Sequence, residues 1–484
     1  MPLWLPLLIA ASLALPTAII ALQLKRGQFF SVIAFQSLVY LSEHALAAVL
    51  LLLDVNLPYK STLAPESIGV ALAVSFAGYV MMLLGYFAWN AAMGRSRAGQ
   101  QAVPDRADSR PAPLLTTLLL VGLAVTTVAG IVSPMVKANA VGGYDYLATS
   151  YYKYRFGNYA ASSGDNALVS LFSILSSLGR GFLAMAVYRL YSRRIRSRVH
   201  GLMLGLATLV YAASQALTAF RATLLGIGLA VFGVLYSLRR PQTRKLLAWI
   251  AVLACLAVVL TYAHFYMFFL TAGWHQMTFS ESSLTLVASS NSLVNLSAIV
   301  STLQNGTSPL YRQGLLENFL FFVPRSLWTG KSDSYSSLQV AKWAGLTDAY
   351  QVSVTQVGEL VARFGMYGIL AMALYGILAA ITDRALVSGC LETRIGIYSM
   401  VLPRAWSDGL MGLSSITLTF VEFVALMATL RMLRFFASTV RRDPERRVLA
   451  APAGRSHPGR ESAALLLPRF RPSPISSATH GGKG

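Results

Sequence analysis

Glu359 and Arg363 lie four residues apart in a stretch that begins Thr355-Gln356-Val357-Gly358-Glu359 and re-enters an apolar run, so on a helix they share one face. A carboxylate so placed is either a general base for a hydroxyl proton or one half of a structural ion pair. Upstream, Pro324-Arg325-Ser326-Leu327-Trp328-Thr329-Gly330-Lys331 carries two more cations. Pro403-Arg404-Ala405-Trp406-Ser407-Asp408 repeats the cation and carboxylate pairing, with Asp408 the second choice of base after Glu359. Arginine forks match the paired oxygens of phosphate and pyrophosphate, so this set reads as a site for an anionic substrate.

Two further arginines belong with them. Arg221, in Ala219-Phe220-Arg221-Ala222-Thr223, caps a hairpin between two short apolar runs and is read with the anion site, snorkelling to lipid headgroups being the alternative. Arg180, in Leu178-Gly179-Arg180-Gly181-Phe182, sits in the middle of an apolar run, where a charge must face a bundle interior or a watery cavity. Trp274, Tyr311, Trp328, Tyr335, Trp343 and Tyr350 lie near these charges. Interfacial belts account for such aromatics, and their flat faces also stack on sugar rings.

Several chemistries are excluded. Gly330-Lys331-Ser332 resembles the end of a phosphate loop, but Arg325 stands where that loop needs glycine. No Asp-x-Asp pair occurs, which leaves metal-bound nucleotide-sugar chemistry without ligands. Cys255 and Cys390 are too few for a disulfide framework or a thiolate metal site, and the six histidines are scattered singly. The readings call for no metal and no cofactor.

The elements that must hold these residues follow from composition. The chain is 55% hydrophobic and only 12% charged over 484 residues, against about 25% charged in soluble domains. Apolar runs of spanning length recur near 3–23, 31–53, 67–92, 113–133, 166–190, 201–220, 222–238, 246–270, 354–382, 385–402 and 415–433, about eleven in all, so the fold expected is an all-α polytopic membrane protein. The first run lacks a positive leader and is read as a retained helix. The net charge of +21 collects in short segments such as Arg193/Arg194/Arg196/Arg198 and Arg239/Arg240/Arg244/Lys245, beside apolar runs, and in the tail. That is the pattern of membrane orientation, and no nucleic-acid motif accompanies it.

One orientation, N-terminus outside and C-terminus inside, places these basic groups in the cytoplasm. Lys60, Lys137, Lys153, Arg155, Arg221, Arg312, Arg325, Lys331, Lys342, Arg363 and Arg404 then fall on or near the outer side, where orientation does not explain them. Two long outer loops result, about 134–165 and about 271–353. The first is rich in tyrosine, Tyr151 among them. Within the second, 284–303 is expected to lie along the interface as an amphipathic helix, since a crossing there would invert everything downstream. Residues 1–435 form the membrane domain, and 436–484, alternating proline and arginine, form a disordered basic cytoplasmic tail.

The Pro324-Arg325…Trp328…Lys331 segment, followed by Val357-Gly358-Glu359 and Phe364-Gly365…Gly368 entering a helix, resembles the Wzy-type O-antigen polymerases, which join oligosaccharide repeat units. About eleven helices, two large periplasmic loops with arginines and an arginine at a short hairpin are similar to that family too. The resemblance implies a fold like the membrane-embedded C-type glycosyltransferases and a place in the bacterial inner membrane. It also implies transfer of a growing glycan from undecaprenyl pyrophosphate to the next lipid-linked unit. Arg325, Lys331, Arg221, Arg363, Arg404 and Arg180 would neutralise pyrophosphate charge as the sugar–phosphate bond breaks. Glu359 would take the acceptor proton, and Trp328, Tyr335 and Tyr151 would hold sugar. Its partners would be the undecaprenyl-pyrophosphate-linked oligosaccharide, the bilayer, a chain-length regulator and a flippase. The long arginine- and proline-rich tail matches no feature of the family.

Two rivals stand beside this reading. An O-antigen ligase performs the same chemistry on a core acceptor, and His275 is the candidate histidine for it. A transporter of lipid-linked sugar would show broken helices in matched positions.

Overall fold

A computed structural model describes residues 4–28, 30–52, 65–94, 113–140, 167–192, 198–216, 221–238, 292–311, 354–405 and 419–433, with a few single positions beside them. No strand occurs among the described residues. The chain divides into two units, Met1–Ala437 and Ser438–Gly484; the second lies outside the described residues.

Apolar composition writes the helices. α1 is Trp4–Lys25, and α2 (Val32–Tyr40) passes through a π-helical turn (Leu41–Ala45) into α3 (Leu46–Leu52). α4 is Pro65–Ala92 and α5 is Pro113–Ala140, which takes helix past residue 133 into the stretch expected to open the first loop. α6 (Ala167–Tyr191), α7 (Arg198–Ala216) and α8 (Arg221–Leu238) follow. Five runs are long and apolar enough to cross a membrane: Trp4–Lys25, Val32–Leu52, Glu66–Ala92, Leu114–Val132 and Gln356–Ser388. Their outward sides carry exposed leucines, such as Leu370, Leu374 and Leu378 at four-residue spacing, as lipid-facing stripes require. The chain is therefore a helical membrane protein.

Two segments depart from the expected layout. α9 (Ser292–Gln304) does not lie apart on an interface: Leu293, Leu296, Ile299 and Val300 are buried, and the helix packs against α4. Its serines and Asn295 disguise in sequence a helix that is wrapped by neighbours on most sides. The run expected as one span over 354–382 is broken. α10 (Gln356–Phe364) ends at Gly365, whose φ of +62° favours glycine, and a short 3-10 turn (Gly365–Tyr367) leads into α11 (Gly368–Ser388). Gly368 then backs onto the Leu360 carbonyl, and Val357 and Met372 both reach Gly78 of α4. α10 and α11 thus form an antiparallel hairpin.

Beyond α11, α12 (Leu391–Gly396) continues through a π-helical turn (Ile397–Val401) to residue 405, and a last described helix, α13, covers 419–433. Two cores result. One joins α1, α2, α4, α9, α10 and α11; the other joins α5, α6, α7, α8 and α13. In the first, α4 and α11 run parallel and touch backbone to backbone, because a Cβ on Gly85 would strike the Ala373 carbonyl and one on Gly376 the Met82 carbonyl. Small residues at such a crossing let membrane helices approach closely.

Candidate functional site

The second core holds a charged cluster built from three elements. Arg404, near the end of the helix that follows the Ile397–Val401 turn, donates from Nη2 to Oε1 of Glu422 on α13 at 3.1 Å. Arg180 of α6 brings Nη2 to 3.5 Å from Oε2 of the same carboxylate, an ionic contact. Arg180 and Glu422 are buried, and Arg404 is partly so. Two guanidinium groups share one buried carboxylate inside the bundle. Buried charge on this scale is retained in membrane proteins where it meets a partner or a substrate.

Local sequence explains how Arg180 reaches that place. It is flanked by Gly179 and Gly181, which let Tyr211 of α7 and Leu426 of α13 close on α6 from either side. The Tyr211 hydroxyl donates to the Ser176 carbonyl at 2.8 Å, and Gln215 Nε2 donates to Ser176 Oγ at 2.9 Å, which fixes α7 against α6 one turn from the arginine. On α8, Gly226 leaves room for Nη1 of Arg180; a Cβ there would lie 3.0 Å from that nitrogen. Arg221 is the first residue of the same helix, five positions before Gly226. Three of the expected anion-binding residues therefore stand on elements that meet at one cluster.

Glu359 and Arg363 are joined as the spacing implied. Arg363 Nε donates to Glu359 Oε1 at 3.1 Å, and both side chains are completely buried. Thr355 caps α10, its hydroxyl accepting the N–H of Gly358 at 3.2 Å. At the other end, Leu310 N–H donates to the Ala362 carbonyl and Tyr311 N–H to that of Arg363, so the chain after α9 caps the last turn of α10. The pair is locked between α10 and its neighbours and does not join the Arg180 cluster through any hydrogen bond among the described residues.

Arg325, Lys331, Trp328, Tyr335, Tyr151 and Asp408 lie outside the described residues. The group that sequence reasoning missed is Glu422. Its signal was present: a lone carboxylate in Phe420-Val421-Glu422-Phe423 inside the last apolar run, which the cost of burying a charge marks as partnered. Glu43 was missed for the same reason. It sits in the π-helical turn, buried, with Ser292 Oγ donating to its Oε2 at 3.1 Å. π-Helical turns recur at functional positions.

Gln36 of α2 donates from Nε2 to the carbonyl of Ala405, the neighbour of Arg404, at 2.8 Å. Among the described residues no group of three or more metal-ligating side chains occurs. No family model matches the chain, and neither a curated protein nor a solved structure matches it.

Proposed function

We propose that this protein is a membrane-embedded glycosyltransferase that polymerises undecaprenyl-pyrophosphate-linked oligosaccharide units at the periplasmic face of a bacterial inner membrane, for O-antigen, capsule or exopolysaccharide. The observation that carries the reading is the Arg180–Glu422–Arg404 cluster, which gathers two guanidinium groups at one point inside the bundle. A pyrophosphate leaving group gains negative charge as the glycosidic oxygen departs, and preorganised guanidinium groups in a dry site stabilise that charge. In this scheme Arg404 and Arg180 exchange part of their hold on Glu422 for the pyrophosphate, with Arg221, Arg325, Lys331 and Arg363 adding charge. Glu359, oriented by Arg363, accepts the proton of the incoming sugar hydroxyl. Trp328, Tyr335 and Tyr151 stack on the glycan.

The test is product length. Purified protein in detergent is given polyprenyl-pyrophosphate-linked repeat units, and the products are separated on a gel beside those of Arg404→Ala. A ladder that disappears in the variant supports polymerisation through this cluster. Absence of a ladder with competent substrate sinks it, and a single addition to a core acceptor would turn the assignment to a ligase.

Transport of a lipid-linked anion is the second reading, and one observation favours it. α9 and α10 are short helices whose N-termini lie inside the bundle, the arrangement that broken helices adopt around transported anions. Movement of a labelled lipid-linked sugar across proteoliposomes, without chain growth, would select it.

A further inference from the structure

α9 and α10 both begin at one level of the first core. Glu43 is halfway along the 21-residue run Val32–Leu52, and Ser292, the first residue of α9, bonds to it. Thr355 and Gln356, which open α10, line a cavity of about 40 Å³ together with Tyr40 and His44 from the same stretch of the run. Both short helices therefore present their N-termini, where the first N–H groups have no intrahelical acceptor, to the interior of the protein. These ends attract negative charge. At α9 that place is taken by the Glu43 carboxyl, which accepts from Ser292 Oγ.

A different environment meets the start of α10. Its cavity is lined by Gln36, Tyr40, His44, Tyr79, Thr355 and Gln356, with apolar walls from Val39, Met82 and Met372. Neither Glu43 nor Glu359 lines it; the first is turned to Ser292 and the second to Arg363. His44 is 4% exposed, its ring is stacked on Tyr40 at 5.4 Å, and its Nδ1 has no hydrogen-bond partner among the described residues. A buried imidazole nitrogen without a partner is costly unless a ligand meets it. The volume is that of a few water molecules, enough for one compact oxyanion.

The geometry points to a binding site for a single oxyanion of the phosphate class in this cavity, held by the His44 imidazole and by the N–H groups at the start of α10 other than that of Gly358, which Thr355 caps. Neutral donors and a helix end hold a phosphate without a guanidinium, and the stacked Tyr40 ring keeps His44 turned to the site. A free phosphate and the headgroup of a lipid phosphate share this chemistry. This site is separate from the Arg180 cluster and stands whether or not the chain transfers glycans.

The experiment uses the full chain in detergent, labelled with ¹⁵N in its imidazoles. Inorganic phosphate should shift the His44 resonance, identified by its loss in His44→Gln, and phosphorus line broadening should report an affinity about tenfold weaker in that variant. If His44→Gln does not fold, substituting the other five histidines in turn assigns the resonance by elimination. Farnesyl pyrophosphate shifting the same resonance at lower concentration than phosphate identifies a lipid headgroup; phosphate acting alone identifies a free anion. An unmoved His44 resonance under both probes, or broadening equal in the variant, overturns the site and leaves the cavity to water.

Discussion

Asp383 of α11 accepts the N–H of Val32 at 2.6 Å, joining the start of α2 to a helix 351 residues later. Its other oxygen takes the Ile33 N–H at 3.4 Å and the Tyr86 hydroxyl at 3.2 Å. A carboxylate from a distant helix thus satisfies the first donors of α2, beside Ser31, whose hydroxyl accepts from Ala34. Replacing Asp383 by alanine leaves those donors buried without it and should cost about 1–3 kcal/mol. Asp383→Asn, which keeps an acceptor, should cost less. Thermal unfolding in detergent, followed by circular dichroism, gives the ranking.

Glu422 is the shared anion of Arg180 and Arg404. Glu422→Gln removes the charge that buried Arg180 and partly buried Arg404 share and should destabilise the protein by about 3–5 kcal/mol, a larger loss than either Arg180→Met or Arg404→Met alone. Equal losses in all three would mean that the carboxylate does not bridge them.

Glu359 and Arg363 supply a double-mutant cycle. Each single substitution, Glu359→Gln or Arg363→Met, removes one half of a completely buried ion pair, while the double variant removes both charges. We expect the double variant to be more stable than either single one. Additive losses would show that the pair is not coupled. If Glu359 is also the base, the double variant recovers stability without recovering glycan transfer.

Gly226 gives Arg180 its space on α8. In Gly226→Ala the new Cβ lies 3.0 Å from Nη1 of Arg180 and 3.2 Å from Cβ of Pro403, so the arginine end must shift by a few tenths of an ångström. Stability should fall little, by about 1 kcal/mol or less. If the chain transfers glycans as proposed, product formation should fall more steeply, because a guanidinium moved from its position would no longer meet developing charge. Parallel rates for variant and wild type would count against Arg180 as an anion ligand.

The α4–α11 crossing should be the least tolerant place in the first core. Gly376→Ala sets a methyl against the Met82 carbonyl, a backbone atom that cannot swing away, so a loss of about 1–3 kcal/mol or more is expected. Gly205→Ala, on α7 where a Cβ meets open space, is the matched control and should be neutral or slightly stabilising.

By itself the sequence determined the material and many of the helices. Runs of apolar residues at spanning length are a one-dimensional property, so α1, the α2–α3 run, α4, α5, α6 and α8 were legible, as was the four-residue spacing that joins Glu359 to Arg363. The inward position of Arg180 was legible too, since a charge inside an apolar run has few places to go. Tertiary structure alone decided that Arg180 and Arg404 meet on Glu422, that α9 is buried with its first residue on Glu43, and that 354–382 folds back at Gly365. Each depends on contacts between residues far apart in the chain, or on whether a glycine takes a positive φ, and hydropathy registers neither. The apolar faces specify that helices pack, while the register of small residues and buried charges between them specifies which side chains meet.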